Sequence, residues 1–138
     1  MGKKIAIASV ITTVLLIIFI LSGPGIQMLI DMADDNWETT DWAPSFLFKA
    51  GSIPYWTLRF ERAAEVYGEF LDRLDCEHPL SAAASYRKAV CHEKLGQTRA
   101  AVQEYKYFLT NWPDHPRAAS AEKSAKHIAH LKPEEDLF

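Results

Sequence analysis

Cysteine and histidine side chains give this 138-residue chain its clearest potential for metal chemistry. Cys76 lies two residues before His78, and Cys91 lies directly before His92. A structural zinc site usually draws its ligands from tighter pairs, such as two cysteines separated by two residues. If the helices predicted on either side of residue 77 are antiparallel, they keep the two Cys–His pairs apart. We therefore expect no zinc site.

The same geometry argues against a disulfide bond between Cys76 and Cys91, which are the two cysteines of the sequence. At about 1.5 Å per helical residue, it places them roughly 15–20 Å apart, beyond the reach of a disulfide. We expect two free thiols, with Cys91 in the core and Cys76 in a loop. A bridge between two chains through Cys76 is the alternative.

Other signatures of catalysis or cofactor binding are missing from the sequence. It contains no Cys-x-x-Cys-His haem-attachment motif, phosphate loop, nucleophile elbow or metalloprotease motif. His127 and His130 are three residues apart with no acidic residue beside them, and are expected to be exposed. The acidic cluster from Asp31 to Asp41 lacks the glycine and the final glutamate of a calcium loop. We predict that the chain is not an enzyme, and we expect no cofactor and no metal.

The charge pattern also limits the partners that we expect. A formal net charge of -3 and the lack of a Lys/Arg-rich run argue against nucleic-acid binding. Acids outnumber bases from Glu61 to Glu77, whereas bases dominate from Arg87 to Lys132. This gradient could steer an acidic partner or bind anionic headgroups, or it could reflect ordinary solvated helix faces.

The N-terminal segment predicts a membrane anchor. Two lysines precede the apolar run Ile5–Leu21, and the chain stays uncharged to Ile30. Because a membrane span needs about 20 apolar residues, we predict a single transmembrane helix within residues 5–30, kinked at residues 23–25 as it leaves the membrane. A cleaved signal peptide and a buried soluble helix are the alternatives.

The charges around this segment predict its orientation. The positive-inside rule keeps residues 1–4 cytoplasmic and places the rest of the chain outside the cytoplasm. We therefore expect a single-pass protein of the inner (plasma) membrane with a periplasmic or other extracytoplasmic C-terminal domain.

Beyond a polar juxtamembrane linker at residues 31–44, the pattern is helical. Apolar or small residues recur at three-to-four spacing in four segments, namely Tyr55–Leu74, Leu80–Leu95, Thr98–Trp112 and Pro116–Leu131. Gly96, Pro113 and Pro116 supply helix stop and start signals. Strand signals are weak, so we predict an all-α domain over residues 45–132 and an acidic tail over residues 133–138.

One helix type occurs twice, at an offset of 38 residues. The corresponding pairs are Ala63 and Ala101, Tyr67 and Tyr105, Phe70 and Phe108, and Leu71 and Leu109. The alanines allow a neighbouring helix to approach, and the tyrosines fill the remaining space. A single helical hairpin cannot bury its apolar face, so a neighbour must cover it. The sequence therefore predicts a short array of helical hairpins.

This repeat resembles the tetratricopeptide repeat (TPR) family over about residues 45–131, with about two repeats and a terminal helix. The residues that carry the resemblance are Ala89, Leu95, Gly96, Ala101, Tyr105 and Pro113, with Ala63 and Tyr67 in the preceding copy. Residues 107–118 are similar to the branch found in bacterial envelope proteins, of the Tol-Pal coordinator and outer-membrane assembly lipoprotein type.

The sequence departs from the family pattern at three places. The first helix of the first repeat, Ser45–Pro54, is irregular because it contains Gly51 and Pro54. Lys88 stands where the family usually has leucine, and His92 stands where it usually has an aromatic residue.

The resemblance implies a protein-docking surface on the concave side, formed by the first helix of each hairpin. It places Tyr86, Val90, Glu93 and Lys94 on that surface, with His127 of the last helix extending it. We therefore expect a membrane-anchored scaffold or adaptor that binds other membrane or periplasmic proteins. The alternative is a single-span accessory subunit that stabilises a larger membrane protein complex.

Overall fold

The computed structural model describes the backbone of residues 2–131 and the side chains of residues 9–131. The predicted acidic tail, residues 133–138, and the side chains of residues 1–4 lie outside the described residues. Seven helices follow one another in the described part: α1 Gly2–Leu21, α2 Gly23–Asp35, α3 Ala43–Trp56, α4 Phe60–Arg73, α5 Ser81–Lys94, α6 Thr98–Asn111 and α7 Ala118–Leu131. The prediction of an all-α chain is confirmed.

The chain divides into two compact units, and the division falls within α3, between Phe46 and Leu47. In the first unit, Ser22 separates α1 from α2, because its side chain accepts a hydrogen bond from the Gly25 N–H at 3.3 Å. Position 25 excludes a larger residue, since a Cβ on Gly25 would lie 1.9 Å from the Phe19 carbonyl oxygen. The chain therefore turns where residues 23–25 predicted a kink.

The prediction of a single transmembrane helix is wrong. Among the described residues, no single helix is both long and apolar enough to cross a membrane. The apolar run ends with α1 at Leu21, and the next apolar residues belong to α2, which bends away by 72°. Only the two pieces Ser9–Leu21 and Gly23–Asp35 together have sufficient length and composition. The location outside the cytoplasm is not tested by this finding and stays a prediction.

The second unit contains two helical hairpins, α3–α4 and α5–α6, followed by α7, which packs on α6. The small and aromatic residues of the predicted repeat are fully buried, namely Ala63, Tyr67, Ala89, Ala101 and Tyr105. Around the second hairpin, Ala89, Ala101 and Tyr105 share a core with Val102, Phe108, Ala121 and Ile128. The described helices α3–α7 thus form a helical-repeat array.

The segment Ser45–Pro54, which the sequence predicts to be irregular, is helical and packs closely on α4. A Cβ on Gly51 would lie 3.1 Å from Tyr67 Cε1 and 3.1 Å from Val66 Cγ1. Gly51 is therefore a point of close helix approach. Gly68 on α4 differs, because a Cβ there would meet Lys88 Cε at the ordinary distance of 3.8 Å. Pro54 lies in the last turn of α3 and has no N–H to donate to the Ala50 carbonyl, so the helix lacks one hydrogen bond near its end.

The turn after α5 depends on a left-handed residue. Gly96 has φ +70°, a conformation that glycine adopts without strain. Its N–H donates to the Glu93 carbonyl at 3.0 Å, and the Gln97 N–H donates to the His92 carbonyl at 2.9 Å. These bonds satisfy carbonyl groups at the end of α5 that would otherwise lack partners. Asn111 is the last residue of α6, Trp112 is its C-terminal cap, and Pro113 follows directly after the cap.

Two residues that depart from the family pattern, Lys88 and His92, make polar contacts. Lys88 Nζ lies 2.7 Å from Glu104 Oε1 of α6, with the two side chains 25% and 21% exposed. His92 Nδ1 lies 2.5 Å from Gln97 Oε1. Electrostatic and hydrogen-bonding contacts therefore occupy positions at which the resemblance implies apolar packing.

Two fully buried serines on α5 differ in their hydrogen bonding. Ser81 Oγ donates to the Asp75 carbonyl at 2.8 Å, so it ties the start of α5 to the preceding turn. Ser85 Oγ has no hydrogen-bond partner within the described residues. A buried hydroxyl without a partner lowers stability because it has lost its bonds to water.

Candidate functional site

An aromatic cluster around Arg87 lies where α3 and α4 meet α5. The distances from Arg87 Cζ to the ring centroids are 4.9 Å for Phe48, 5.4 Å for Tyr55, 5.8 Å for Trp56 and 6.0 Å for Tyr67. A guanidinium at such distances is attracted by the negative face of an aromatic ring. We call the four aromatic residues, Ser52 and Arg87 the Arg87 cluster.

Hydrogen bonds fix one end of the guanidinium. Arg87 Nη1 donates to Ser52 Oγ at 2.8 Å and to Tyr67 Oη at 3.0 Å. Nε and Nη2 have no acceptor within the part of the chain that the structure describes. No carboxylate in that part forms an ion pair with Arg87 either. The cation is thus positioned by neutral groups.

Burial keeps the tyrosines of the cluster neutral. It raises the pKa of Tyr67 above its ordinary value of 10.0, although hydrogen bonds from Ser52 and Arg87 oppose this rise. Burial also raises the pKa of Tyr55. Neither phenol therefore carries a negative charge near neutral pH, and the positive charge of Arg87 is left without a compensating anion among the described residues.

The edge of the cluster is open to solvent. Trp56 is 70% exposed, and Leu58, two residues later, is 73% exposed. Leu58 has φ +61°, which is uncommon for a residue with a bulky side chain. Arg87 itself is half-buried. Tryptophan, tyrosine and arginine are the residues that most often dominate protein-binding surfaces.

The ring contacts of the first hairpin recur in the second at the 38-residue offset. The ring-centroid distances are 5.6 Å for Phe48–Tyr67 and 5.8 Å for Phe48–Phe70, then 6.0 Å for Tyr86–Tyr105 and 5.5 Å for Tyr86–Phe108. In each hairpin, the aromatic ring on the first helix also lies under an arginine from the chain segment that follows the hairpin. Arg87 covers Phe48, and Arg117 covers Tyr86 at 5.0 Å.

The two hairpins differ in the partner of the buried tyrosine. Tyr105 Oη donates to Glu93 Oε2 at 2.5 Å, whereas Tyr67 Oη accepts from Arg87. Burial, followed by the hydrogen bond to Glu93, raises the pKa of Tyr105 well above 10.0. The second hairpin therefore has a carboxylate where the first has a guanidinium.

The predicted docking residues fall into two groups. Tyr86 and Val90 are partly buried and pack on the core of the second hairpin. Glu93 is held by Tyr105, while Lys94 and His127 are exposed. Three of the five residues, namely Tyr86, Val90 and Glu93, therefore have structural contacts. Their role in binding stays a prediction.

The Arg87 cluster was not among the docking residues predicted from the sequence, although a signal for it was present. Subtracting the 38-residue offset from the predicted α5 residues Tyr86, Val90, Glu93 and Lys94 gives Phe48, Ser52, Tyr55 and Trp56. These are four members of the cluster. They were missed because Gly51 and Pro54 made the first helix of that hairpin look irregular.

An acidic groove lies on another side of α4. It encloses about 510 Å³ and is lined by Glu61, Glu65, Glu69 and Asp72 of α4, with Lys88 and His92 of α5 among the facing residues. Arg62 binds Glu65 at 2.8 Å, and Lys88 binds Glu104. The acidic side chains thus form a solvated helix face with part of its charge already paired.

The described residues contain no group of three or more His, Cys, Asp or Glu side chains arranged to hold a metal ion. Both cysteines are free thiols, with Cys76 exposed and Cys91 buried. Burial raises the pKa of Cys91 to about 12, so its reactive thiolate form is suppressed. Among the described residues, the Arg87 cluster is the strongest candidate for a binding site.

Comparison with known proteins assigns no family to this chain. No protein-family model matches the chain, and no curated protein matches it either. The candidate site therefore depends on its own geometry.

Proposed function

We propose that residues 47–131 form a TPR-type docking module that binds a segment of a partner protein across the first helices of its hairpins, α3 and α5. The observation that carries this proposal is the Arg87 cluster, in which a half-buried cation lies beside an exposed tryptophan. The repeated ring contacts support it, because they give both hairpins the same packing and therefore align their first helices. This proposal leaves the identity of the partner open.

Peptide selection by display on the full-length protein tests the docking function. We expect a random peptide library to yield binders whose affinity falls about tenfold or more in Trp56→Ala, since truncating an interface tryptophan commonly removes this much binding. Tyr107→Ala is the matched control, because Tyr107 is also an exposed aromatic residue, at 45%, but lies on the second helix of its hairpin. Failure to select any binder, or equal losses in the two variants, would contradict the proposal.

A second candidate function is that of an accessory subunit in a larger protein complex. One observation favours it: nine large apolar side chains of α1, from Val10 to Leu21, are each 41–62% exposed. An apolar helix of this kind requires apolar surroundings on several sides. In this case the main binding energy would come from α1 rather than from the hairpins.

Replacing residues 9–21 with an unrelated apolar helix distinguishes the two candidates. A docking module keeps its peptide affinity after this exchange. An accessory subunit loses the chains that co-purify with it, as measured by size analysis and mass identification after gentle detergent extraction. Retention of every co-purifying chain would exclude the second candidate.

A further inference from the structure

We propose that the Arg87 cluster selects its partner by binding a carboxylate side chain in an acidic peptide segment, while Trp56 and Leu58 contact apolar residues next to that carboxylate. This inference rests on the proposed docking function and specifies the chemistry of the segment that is bound. In this proposal, the edge of the Arg87 guanidinium that carries Nε and Nη2 binds the carboxylate.

The charge of the Arg87 cluster favours an anionic ligand. Arg87 is half-buried, yet its hydrogen-bond partners Ser52 and Tyr67 are neutral, and the described residues supply no carboxylate to it. A partly desolvated cation without a counterion gains from the arrival of an anion. Charge complementarity therefore favours an acidic partner.

The remaining hydrogen-bond donors of Arg87 have a geometry that fits a carboxylate. Nη1 is occupied by two hydrogen bonds, which fix the plane of the guanidinium. Nε and Nη2 lie on one edge of that plane and form a fork that matches the two oxygens of a carboxylate. Because the ring contacts already hold the side chain, little conformational freedom is lost when the carboxylate binds.

The repeat position of Arg87 holds a different residue in the last helix. The 38-residue offset places Ala125 of α7 at the position of Arg87, and Ala125 packs partly buried against the core of the second hairpin. The next helix therefore uses a small apolar side chain where α5 uses a cation. The ring of Tyr86 is covered instead by Arg117, so an arginine at the repeat position of Arg87 is specific to α5.

The surroundings favour a peptide carboxylate over a phosphate group. Phosphate sites generally combine several cations or a helix N-terminus, whereas this cluster offers one guanidinium surrounded by four rings. Trp56 and Leu58, 70% and 73% exposed, add apolar contact area at its edge. A carboxylate flanked by apolar side chains fits both features.

The test combines peptide display with binding measurements on full-length protein. A random twelve-residue library is selected on the unmodified chain, and the best binder is labelled with fluorescein for anisotropy titration. We expect the selected peptides to be enriched in Asp or Glu next to an apolar residue. Changing the critical acid of the labelled peptide to its amide should weaken binding about tenfold or more, the usual effect of a charged hydrogen bond.

Variants of the protein then assign the effect to Arg87. Arg87→Gln should make binding insensitive to the acid-to-amide change, and Arg87→Lys should recover only part of the sensitivity because it lacks the fork. Arg117→Gln is the matched control, since Arg117 also lies over a ring but is exposed, and it should leave the sensitivity intact. Far-UV circular dichroism verifies folding, and Arg87→Lys, which keeps the cation, serves as the main variant if Arg87→Gln unfolds.

The outcomes separate this inference from the docking proposal. Binders without acidic enrichment, or an amide effect that is undiminished in Arg87→Gln and in Arg87→Lys, would overturn the carboxylate assignment while leaving docking intact. Absence of any binder would overturn both. Competition by inorganic phosphate at lower concentration than by sodium propionate would show that the cluster is a phosphate site and would also overturn the assignment.

Discussion

The two buried serines of α5 offer a direct test of the core packing. Ser81 and Ser85 lie four residues apart on one helix and are both 0% exposed, but the hydroxyl of Ser81 alone has a hydrogen-bond partner among the described residues. The same substitution, Ser→Ala, should therefore change the free energy of unfolding in opposite directions at the two positions.

For Ser81→Ala, the loss of the hydrogen bond to the Asp75 carbonyl should cost about 1 kcal/mol. That carbonyl still accepts from the His78 N–H at 3.1 Å, which keeps the cost near this value. For Ser85→Ala, removing a buried hydroxyl without a partner should stabilise the protein by about 1 kcal/mol. The higher helix propensity of alanine adds about 0.5 kcal/mol at an interior helix position, and the lost contacts of the oxygen offset part of this gain.

Urea unfolding of the full-length variants, followed by far-UV circular dichroism, measures the difference, which we expect to be about 2 kcal/mol. Ser120→Ala on α7 is the control, because Ser120 is exposed and reports helix propensity alone. A loss of stability in Ser85→Ala equal to that in Ser81→Ala would refute the reasoning, because it would mean that the Ser85 hydroxyl is satisfied.

Three further predictions concern other buried positions. Gly51→Ala should destabilise the protein by about 1 kcal/mol, because overpacking against α4 exceeds the gain in helix propensity, whereas Gly68→Ala, which has room, should stabilise it by about as much in the same urea assay. Iodoacetamide should label Cys76 in the native protein and Cys91 only after unfolding, as measured by peptide mass analysis. Because the pKa of Tyr105 is raised on folding, its contribution to stability is full below pH 10.0 and is lost as the pH rises above that value. Tyr105→Phe should therefore lose less stability than the unmodified protein between pH 8 and about pH 11, measured relative to its own value at pH 8.

Each of these predictions has an outcome that contradicts it. Equal effects of the two glycine variants would show that α3 can move away from α4. Native labelling of Cys91 at the rate of Cys76 would mean that the core around α5 opens readily. An unchanged alkaline loss in Tyr105→Phe would assign that loss to other groups.

The later helices of the array could be predicted from sequence because their stop signals and periodicity agree. Gly96 ends α5 with the expected left-handed turn, and α6 ends one residue before the predicted boundary at Trp112. The first helix of the first repeat, α3, was predicted only as an irregular match to the repeat, because Gly51 and Pro54 are read as breakers from local preferences. In the fold, Gly51 allows close contact with Tyr67, which is a tertiary effect that periodicity does not show.

The prediction of a single transmembrane helix failed for a related reason. Hydropathy sums the apolar residues on both sides of Ser22, but it does not record that Ser22 caps a new helix and that Gly25 permits a sharp bend. The Arg87 cluster was equally hidden, because its members come from three helices. The repeat offset could have located four of them, whereas the contact of Arg87 with their rings required the three-dimensional structure.

The recurrence of the ring contacts determines how the repeat array could be lengthened. The two hairpins use equivalent aromatic residues for their internal packing, and an arginine from the segment after each hairpin covers the ring of its first helix. A duplicated segment of 38 residues would therefore present compatible surfaces to the copies before and after it. The domain can be lengthened by concatenation without a new core, and each added copy provides another first helix on which recognition residues can diverge.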